Sequence, residues 1–434
     1  MDDDLPLHLL NSENTESAYK YFHEKYLFLL NKYAPLRKLT KKENKLKQNP
    51  WMTQGILKSI SKKRKLFKKF KCSKLRDKDS NATYKNYKSY NDMINKLIKK
   101  CKRDYYQQYF QTHMKNSKMV WTGINKLLKR SKRKQRTIYL EENNALVSNP
   151  QKVANRFNAY FLNVAENLCS KIPLVEEKFD DYLKNRKDVN WIMEETTPDE
   201  IVKIVNDLDV KKSSDIYNIS PELVKLSGPA VSHSLSIIFN MSIKEGCFPS
   251  AMKLAKIVPL HKGDSVLNVS NYRPISLLPI FSKIFERLIY NRLIKFIDDN
   301  HVLSKFQFGF QKNKSTEQAV TSIINHIHCA RDNGQSAYCI FLDFAKAFDT
   351  VNHEILLAKL KHYGILGKPL KLLESYLKNR SQRTEVDGVL SDEGTIIHGV
   401  PQSSVLGPLL FLLYINDICE SSNIFKFFLF ADDT

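Results

Sequence analysis

From Trp51 to about Leu128, apolar residues recur three and four apart (Ile56, Leu57, Ile60; later Ile94, Leu97, Ile98) in a stretch almost free of Pro and Gly. That period predicts two or three long helices with narrow apolar stripes. Upstream, Glu16–Tyr33 reads as a helix, followed by a Lys-rich linker that closes at Pro50. Downstream, Ala154, Phe157, Tyr160, Phe161, Val164 and Leu168 predict an amphipathic helix over 150–175. Pro198 and Pro221 open two more helices, where Pro suits the first turn. From about Ala255 the pattern changes to alternating strands and helices with more Pro, the mark of a compact α+β domain. The longest apolar run, Val405–Ile415, contains Gly407 and Pro408 and is shorter than the ~18 residues of a membrane span, so it reads as buried core. No internal repeat is present. The expected organisation is an N-terminal segment and linker (1–50), a basic helical region (51–140), a helical connecting region (141–250) and an α+β domain (251–434).

Charge sharpens this division. The 434 residues carry a net charge of +23, yet residues 31–140 alone hold 34 Lys+Arg against 5 Asp+Glu, a net of +29. The rest of the chain is therefore at −6. A local polycation of this density attracts phosphate backbones through counterion release, and an anionic membrane surface is the competing partner. Within it, Lys62, Lys63, Arg64, Lys65, Lys68 and Lys69, with Arg130, Lys132, Arg133 and Lys134, are the expected nucleic-acid contacts. The run Arg130–Arg136 also reads as a flexible linker and resembles a nuclear localisation signal. Tyr84, Tyr87, Tyr90, Tyr105, Tyr106 and Tyr109 are interleaved with the bases, suited to helix–helix packing or to base stacking.

The seven cysteines are odd in number and scattered, without a Cys-x-x-Cys pair. This argues against a disulfide framework and a zinc finger and fits a reducing compartment, nucleus or cytoplasm. The start Met1-Asp2-Asp3-Asp4 lacks a signal-peptide pattern.

Candidate chemistry lies in the last third. Phe341-Leu342-Asp343 and Phe430-Ala431-Asp432-Asp433 each put carboxylates at the end of an apolar, aromatic run, 89 residues apart. Such runs are expected to be buried strands that carry their Asp side chains to a common edge. Two or three Asp without His or Cys suit magnesium, which prefers carboxylate oxygens and substrate phosphates. Two ions roughly 3.5–4 Å apart can clamp the attacking and leaving oxygens of a phosphoryl transfer. Around these segments stand Ala255–Asp264, Asn271-Tyr272-Arg273-Pro274-Ile275-Ser276, Gln307-Phe308-Gly309-Phe310 and Gly399-Val400-Pro401-Gln402-Ser403-Ser404-Val405-Leu406-Gly407-Pro408.

Five motifs in this order and spacing resemble the reverse transcriptase of a non-long-terminal-repeat retrotransposon, of the jockey or CR-like type. The resemblance spans roughly residues 200–434, with a weaker likeness over 51–175. It implies the fingers and part of the palm of a right-hand polymerase after a basic helical region, with the thumb absent. Asp343, Asp432 and Asp433 match the family's metal-binding acids, implying two Mg²⁺ ions, with Mn²⁺ as an alternative. Arg273 matches the fingers arginine placed on the triphosphate, and Lys262 assists it. Phe348 matches the bulky gate that excludes a 2′-hydroxyl, and Gln402 the glutamine against nucleotide and template. The implied partners are an RNA template, a DNA primer and deoxynucleoside triphosphates, with no membrane.

The sequence departs from the family pattern at three places. Ser403 replaces a glycine, at a position where an added side chain would crowd the site or demand a backbone angle that Gly takes easily. Gln311 stands where an Arg is common, and Lys211-Lys212-Ser213-Ser214-Asp215 lacks a glycine before its Asp. One residue follows the Asp pair, so the expectation is a turn without a return strand and a chain that does not polymerise as given. The rival readings are a noncatalytic RNA- or single-stranded-DNA-binding relic of such an element, and a Mg²⁺-dependent phosphatase or nuclease.

Overall fold

A computed structural model describes residues 5–37, 40, 43, 46, 49–75, 80–128, 138–142, 145–173, 179–183, 189–210, 213–422 and 424–434. The chain divides into two compact units, Leu30–Arg136 and Met1–Leu29 with Thr137–Thr434. Helices α1 (Leu5–Leu10) and α2 (Thr15–Tyr33) precede the division or cross it.

The basic unit is built from α3 (Gln54–Leu75), α4 (Ser80–His113) and α5 (Ser117–Leu127). Its apolar stripes meet through rings: Phe67 lies 5.1 Å from Tyr87, and Phe70 lies 5.2 Å from Tyr84. Ser73 and Thr83 share a 2.7 Å hydrogen bond nearer the connection, so α3 and α4 run antiparallel. At the far end of α4 the Tyr109 hydroxyl donates to Met119 O of α5 at 3.0 Å. Gly123 is required there, because a Cβ would stand 2.7 Å from the Tyr109 ring and 2.9 Å from Phe110. Most of the interleaved tyrosines thus pack helices together. The described lysines and arginines of these helices are exposed, apart from the half-buried Lys63 and Lys102.

The mixed unit places α6 (Pro150–Cys169), α7 (Pro198–Asn206), α8 (Pro221–Glu245), α9 (Ile280–Asp299), α10 (Thr316–Asp332), α11 (His353–His362), α12 (Gly367–Leu377) and α13 (Gly407–Ile415) around small sheets. A hairpin of β1 (Leu140–Glu142) and β2 (Ala145–Val147) stands apart from the main sheet. In that sheet β3 (Leu254–His261) pairs antiparallel with β4 (Tyr272–Leu277) and parallel with β5 (Arg380–Val386). β6 (Val389–Leu390) and β7 (Gly394–Ile396) pair with β5. The aromatic core stacks Phe239 on Phe285 at 4.4 Å and Phe248 on Phe285 at 5.2 Å, with Tyr376 edge-on to Phe248. α2 joins it, as Phe22 and Tyr26 both meet Phe281 edge to face. The apolar run expected to be core is α13, buried along most of its length.

One expectation is overturned. The apolar run ending at Asp343 is not a buried strand: Tyr338 is 91% exposed and Phe341 81%. Its ladder contact among the described residues is a single bridge at Asp343, so its alternating apolar side chains have no sheet face to cover them.

Candidate active site

The two acidic segments do meet. Asp343 and Asp433 are antiparallel bridge partners, flanked by Leu342 N–H to Thr434 O at 2.8 Å and Thr434 N–H to Leu342 O at 3.1 Å. Phe430 and Asp433 close a two-residue turn through Phe430 N–H to Asp433 O at 2.8 Å and Asp433 N–H to Phe430 O at 3.2 Å. Ala431 takes φ +60° in that turn and Asp432 sits at its tip. The buried Gln307 side chain fixes the turn from below, its Oε1 accepting from Ala431 N–H at 3.1 Å and Gly309 N–H at 2.8 Å. Gly309 lets the backbones approach, since a Cβ would collide with Ala431 N. The donors offered here are hard carboxylate oxygens, the set magnesium takes. Among the described residues, however, no three His, Cys, Asp or Glu side chains are gathered closely enough to hold an ion. The donor chemistry fits; the three-carboxylate cage is not closed.

The opposite wall is tightly built. Val400 N–H donates to Phe348 O and Gly399 N–H to Val351 O, both at 2.8 Å, seating the Gly399–Ser404 loop on the turn after Asp343. Gly399 is obligatory: it has φ +86°, and a Cβ would lie 2.8–2.9 Å from Asp349 and Phe348 backbone atoms. Phe348 stacks on Phe411 at 4.6 Å and meets Phe310 edge-on at 6.0 Å. The Gln402 amide donates to both Asp349 oxygens, at 2.8 and 2.9 Å, and Gln402 O accepts from Ser276 N–H at 3.1 Å. Burial pushes the Asp349 carboxyl up to about 6, against the pull of Gln402 and Lys346. Ser403 holds φ +73°, the left-handed backbone its sequence context asks of a glycine.

Arg273 pairs with Leu260 across β3 and β4, and Lys262 N–H donates to Asn271 O at 2.8 Å, so both extend from one hairpin end. Lys346 reaches the same end, its Nζ donating to Ser270 O at 3.4 Å. Burial holds its ammonium below the usual lysine range, and the charges of Lys262 and Arg273 add to this.

Two buried carboxylates missed by sequence reasoning organise this wall. At the start of α13 the Ser404 hydroxyl oxygen accepts from Gly407 N–H at 2.8 Å, and Glu286 of α9 holds the lead-in, accepting from Val405 N–H at 2.8 Å and Leu406 N–H at 3.2 Å. Glu286 also accepts from Tyr376 OH at 3.2 Å and Ser282 OH at 3.0 Å. α9 lacks its own cap, and Asp215 accepts from Ile280 N–H at 2.9 Å. Such carboxylates satisfy orphan N–H groups and complement the helix dipole. The one sequence signal was Asp215, already marked as the end of the Lys211–Asp215 segment; Lys211 and Lys212 lie outside the described residues.

Of the basic contacts expected in the other unit, Lys62, Lys63, Arg64, Lys65, Lys68 and Lys69 all lie on α3, and all but the half-buried Lys63 are exposed. Lys62 Nζ stands 5.3 Å from the Tyr90 ring centre. Arg130, Lys132, Arg133 and Lys134 lie outside the described residues. No helix among the described residues is long and apolar enough to cross a membrane.

Residues 260–434 match the reverse transcriptase (RNA-dependent DNA polymerase) family, and this α+β segment is a domain of that class. Over 266 residues, 61% of this chain, it is 35% identical to the RNA-directed DNA polymerase from mobile element jockey of Drosophila melanogaster, of which it spans 28%. It is also 35% identical over 227 residues to the probable RNA-directed DNA polymerase from transposon BS, covering 51% of this chain and 24% of that one. Over 186 residues it is 37% identical to that from transposon X-element, covering 42% and 20%; both are from the same fly. The chain thus spans about a quarter of the length of these relatives. This segment is thus similar to the reverse transcriptases of jockey-like, non-long-terminal-repeat retrotransposons.

Proposed function

We propose that the chain serves RNA-templated DNA synthesis, in which a primer 3′-hydroxyl attacks the α-phosphate of a deoxynucleoside triphosphate. The observation that carries this reading is the register pairing of Asp343 with Asp433 beside the Phe348–Gln402 wall. Asp343, Asp432 and Asp433 would hold two Mg²⁺ ions, with Mn²⁺ as a substitute. When bound, these ions neutralise charge on the attacking and leaving oxygens. Arg273 and Lys262, at one hairpin end, offer the triphosphate a planar fork and a point charge. Phe348, braced by Phe411 and Phe310, is the gate against a 2′-hydroxyl. Gln402 contributes its loop to the nucleotide wall while its amide is held by Asp349. The outward lysines of α3 hold RNA or single-stranded DNA through phosphates, with little sequence preference.

A second reading, nucleic-acid binding without synthesis, is favoured by one observation: the three carboxylates are not gathered into a metal cage. Primer extension on an RNA template with Mg²⁺, beside an Asp343→Asn control, separates the two. Extension that disappears in the control supports synthesis. RNA binding that weakens steeply from roughly 50 to 200 mM salt, without extension, supports the second reading.

A further inference from the structure

Arg380, at the start of β5, is completely buried. Its guanidinium is fixed twice over. Nη1–H donates to Tyr376 O at 3.0 Å, and the group lies 4.8 Å from the centre of the Tyr376 ring. Nε–H and Nη2–H have no acceptor among the described residues. Those two form one edge of the guanidinium, the fork that grips a carboxylate or phosphate through two parallel hydrogen bonds. Arg380 lines a cavity of about 40 Å³, whose polar walls include Ser276, Asp349, Gln382, His398 and Gln402. That volume suits a single anionic head and is far too small for a nucleotide, which takes a site of roughly 300 Å³ or more.

Charge balance argues the same way. Arginine stays protonated, and a buried cation is costly unless an anion accompanies it. The nearby carboxylates are already committed. Glu286 accepts four hydrogen bonds and Asp349 holds the Gln402 amide. No ion pair among the described residues includes Arg380. Two further buried basic groups, Lys253 and His353, have proton affinities lowered first by burial and then, in part, by the charge of Arg380.

We propose that Arg380 anchors an oxyanion site, in which the Nε–H and Nη2–H fork takes one carboxylate or phosphate group inside this cavity. Ser276 and His398 stand in the same walls as further donors. The site does not depend on whether the chain polymerises DNA. The anion can be free in solution or belong to a strand backbone.

The test is a titration of the full chain, labelled with ¹⁵N-arginine, at constant ionic strength. The Arg380 Nε–H resonance is identified by its loss in Arg380→Lys. With inorganic phosphate or acetate it is expected to shift saturably in the millimolar range. Ala165→Leu, which fills the cavity while leaving Arg380 in place, is expected to weaken saturation at least tenfold; Arg380→Gln identifies the resonance if Arg380→Lys does not fold. A parallel arm uses a short 5′-phosphorylated oligothymidylate. Binding of the oligonucleotide at least tenfold tighter than free phosphate assigns the site to a strand phosphate; saturation by the small anions alone assigns it to a free anion. The absence of a saturable shift with any of these, or a shift unchanged by Ala165→Leu, overturns the proposal.

Discussion

The two sides of this site are held in different ways. On the Gln402 side the loop is bonded to Phe348, Val351, Ser276 and Asp349, and Glu286 ties its far end to α9. On the carboxylate side, Asp343 and Asp433 depend on a few backbone bonds and the Gln307 side chain, beside an exposed run that includes Tyr338 and Phe341. The contrast separates two requirements of a nucleotidyl-transfer site. A nucleotide wall can be preorganised by buried hydrogen bonds alone, whereas a carboxylate cluster gathers like charges and needs a cation or surrounding strands to hold it.

The comparison breaks most readily at Glu286. Replacing it by Ala leaves Val405 N–H, Leu406 N–H and two hydroxyls without their acceptor, and should lower stability by about 3 kcal/mol or more in urea denaturation. Asp433→Ala, on the exposed edge, should stay within about 0.5 kcal/mol. Equal losses would erase the distinction.

Asp349 sharpens it through pH. Its carboxyl is raised by burial from 3.8 to about 6, so the stability linked to its proton is fully present below the unfolded value and is lost as pH rises through about 6. Between pH 4 and 7 the wild type should therefore lose about 2 kcal/mol relative to Asp349→Asn, which has no proton to release. Denaturation midpoints for both proteins across that range check the sign.

A smaller effect is expected at Ser403. Its φ of +73° is strained for a residue with a Cβ, so Ser403→Gly should stabilise by about 1 kcal/mol. Thermal melting that leaves Ser403→Gly at or below wild type would mean that the serine side chain compensates for its backbone.

Much of this was legible in sequence, for identifiable reasons. The basic helices and α6 follow from apolar spacing, and α7 and α8 begin where Pro198 and Pro221 permit. The departure at Ser403 was readable because a glycine position implies a backbone angle, and that angle is present. The burial of the segment before Asp343 was misjudged because aromatic, β-branched composition shows that a strand can form and not whether a neighbour pairs with it. The roles of Glu286 and Asp215 are illegible for another reason. Each holds backbone N–H groups at or just before a helix start 65 residues or more away, and no local spacing encodes such a partner. Arg380 carries no local signal, because its burial is set by the tertiary fold.

The most direct test of this division is amide hydrogen exchange on the full chain without ligands. The account predicts slow exchange at Val400, Val405 and Leu406, whose N–H groups are bonded to Phe348 O and Glu286, and exchange at the earliest time points throughout residues 336–341. Comparable protection of both stretches, or faster exchange in the 400–406 loop, would contradict it.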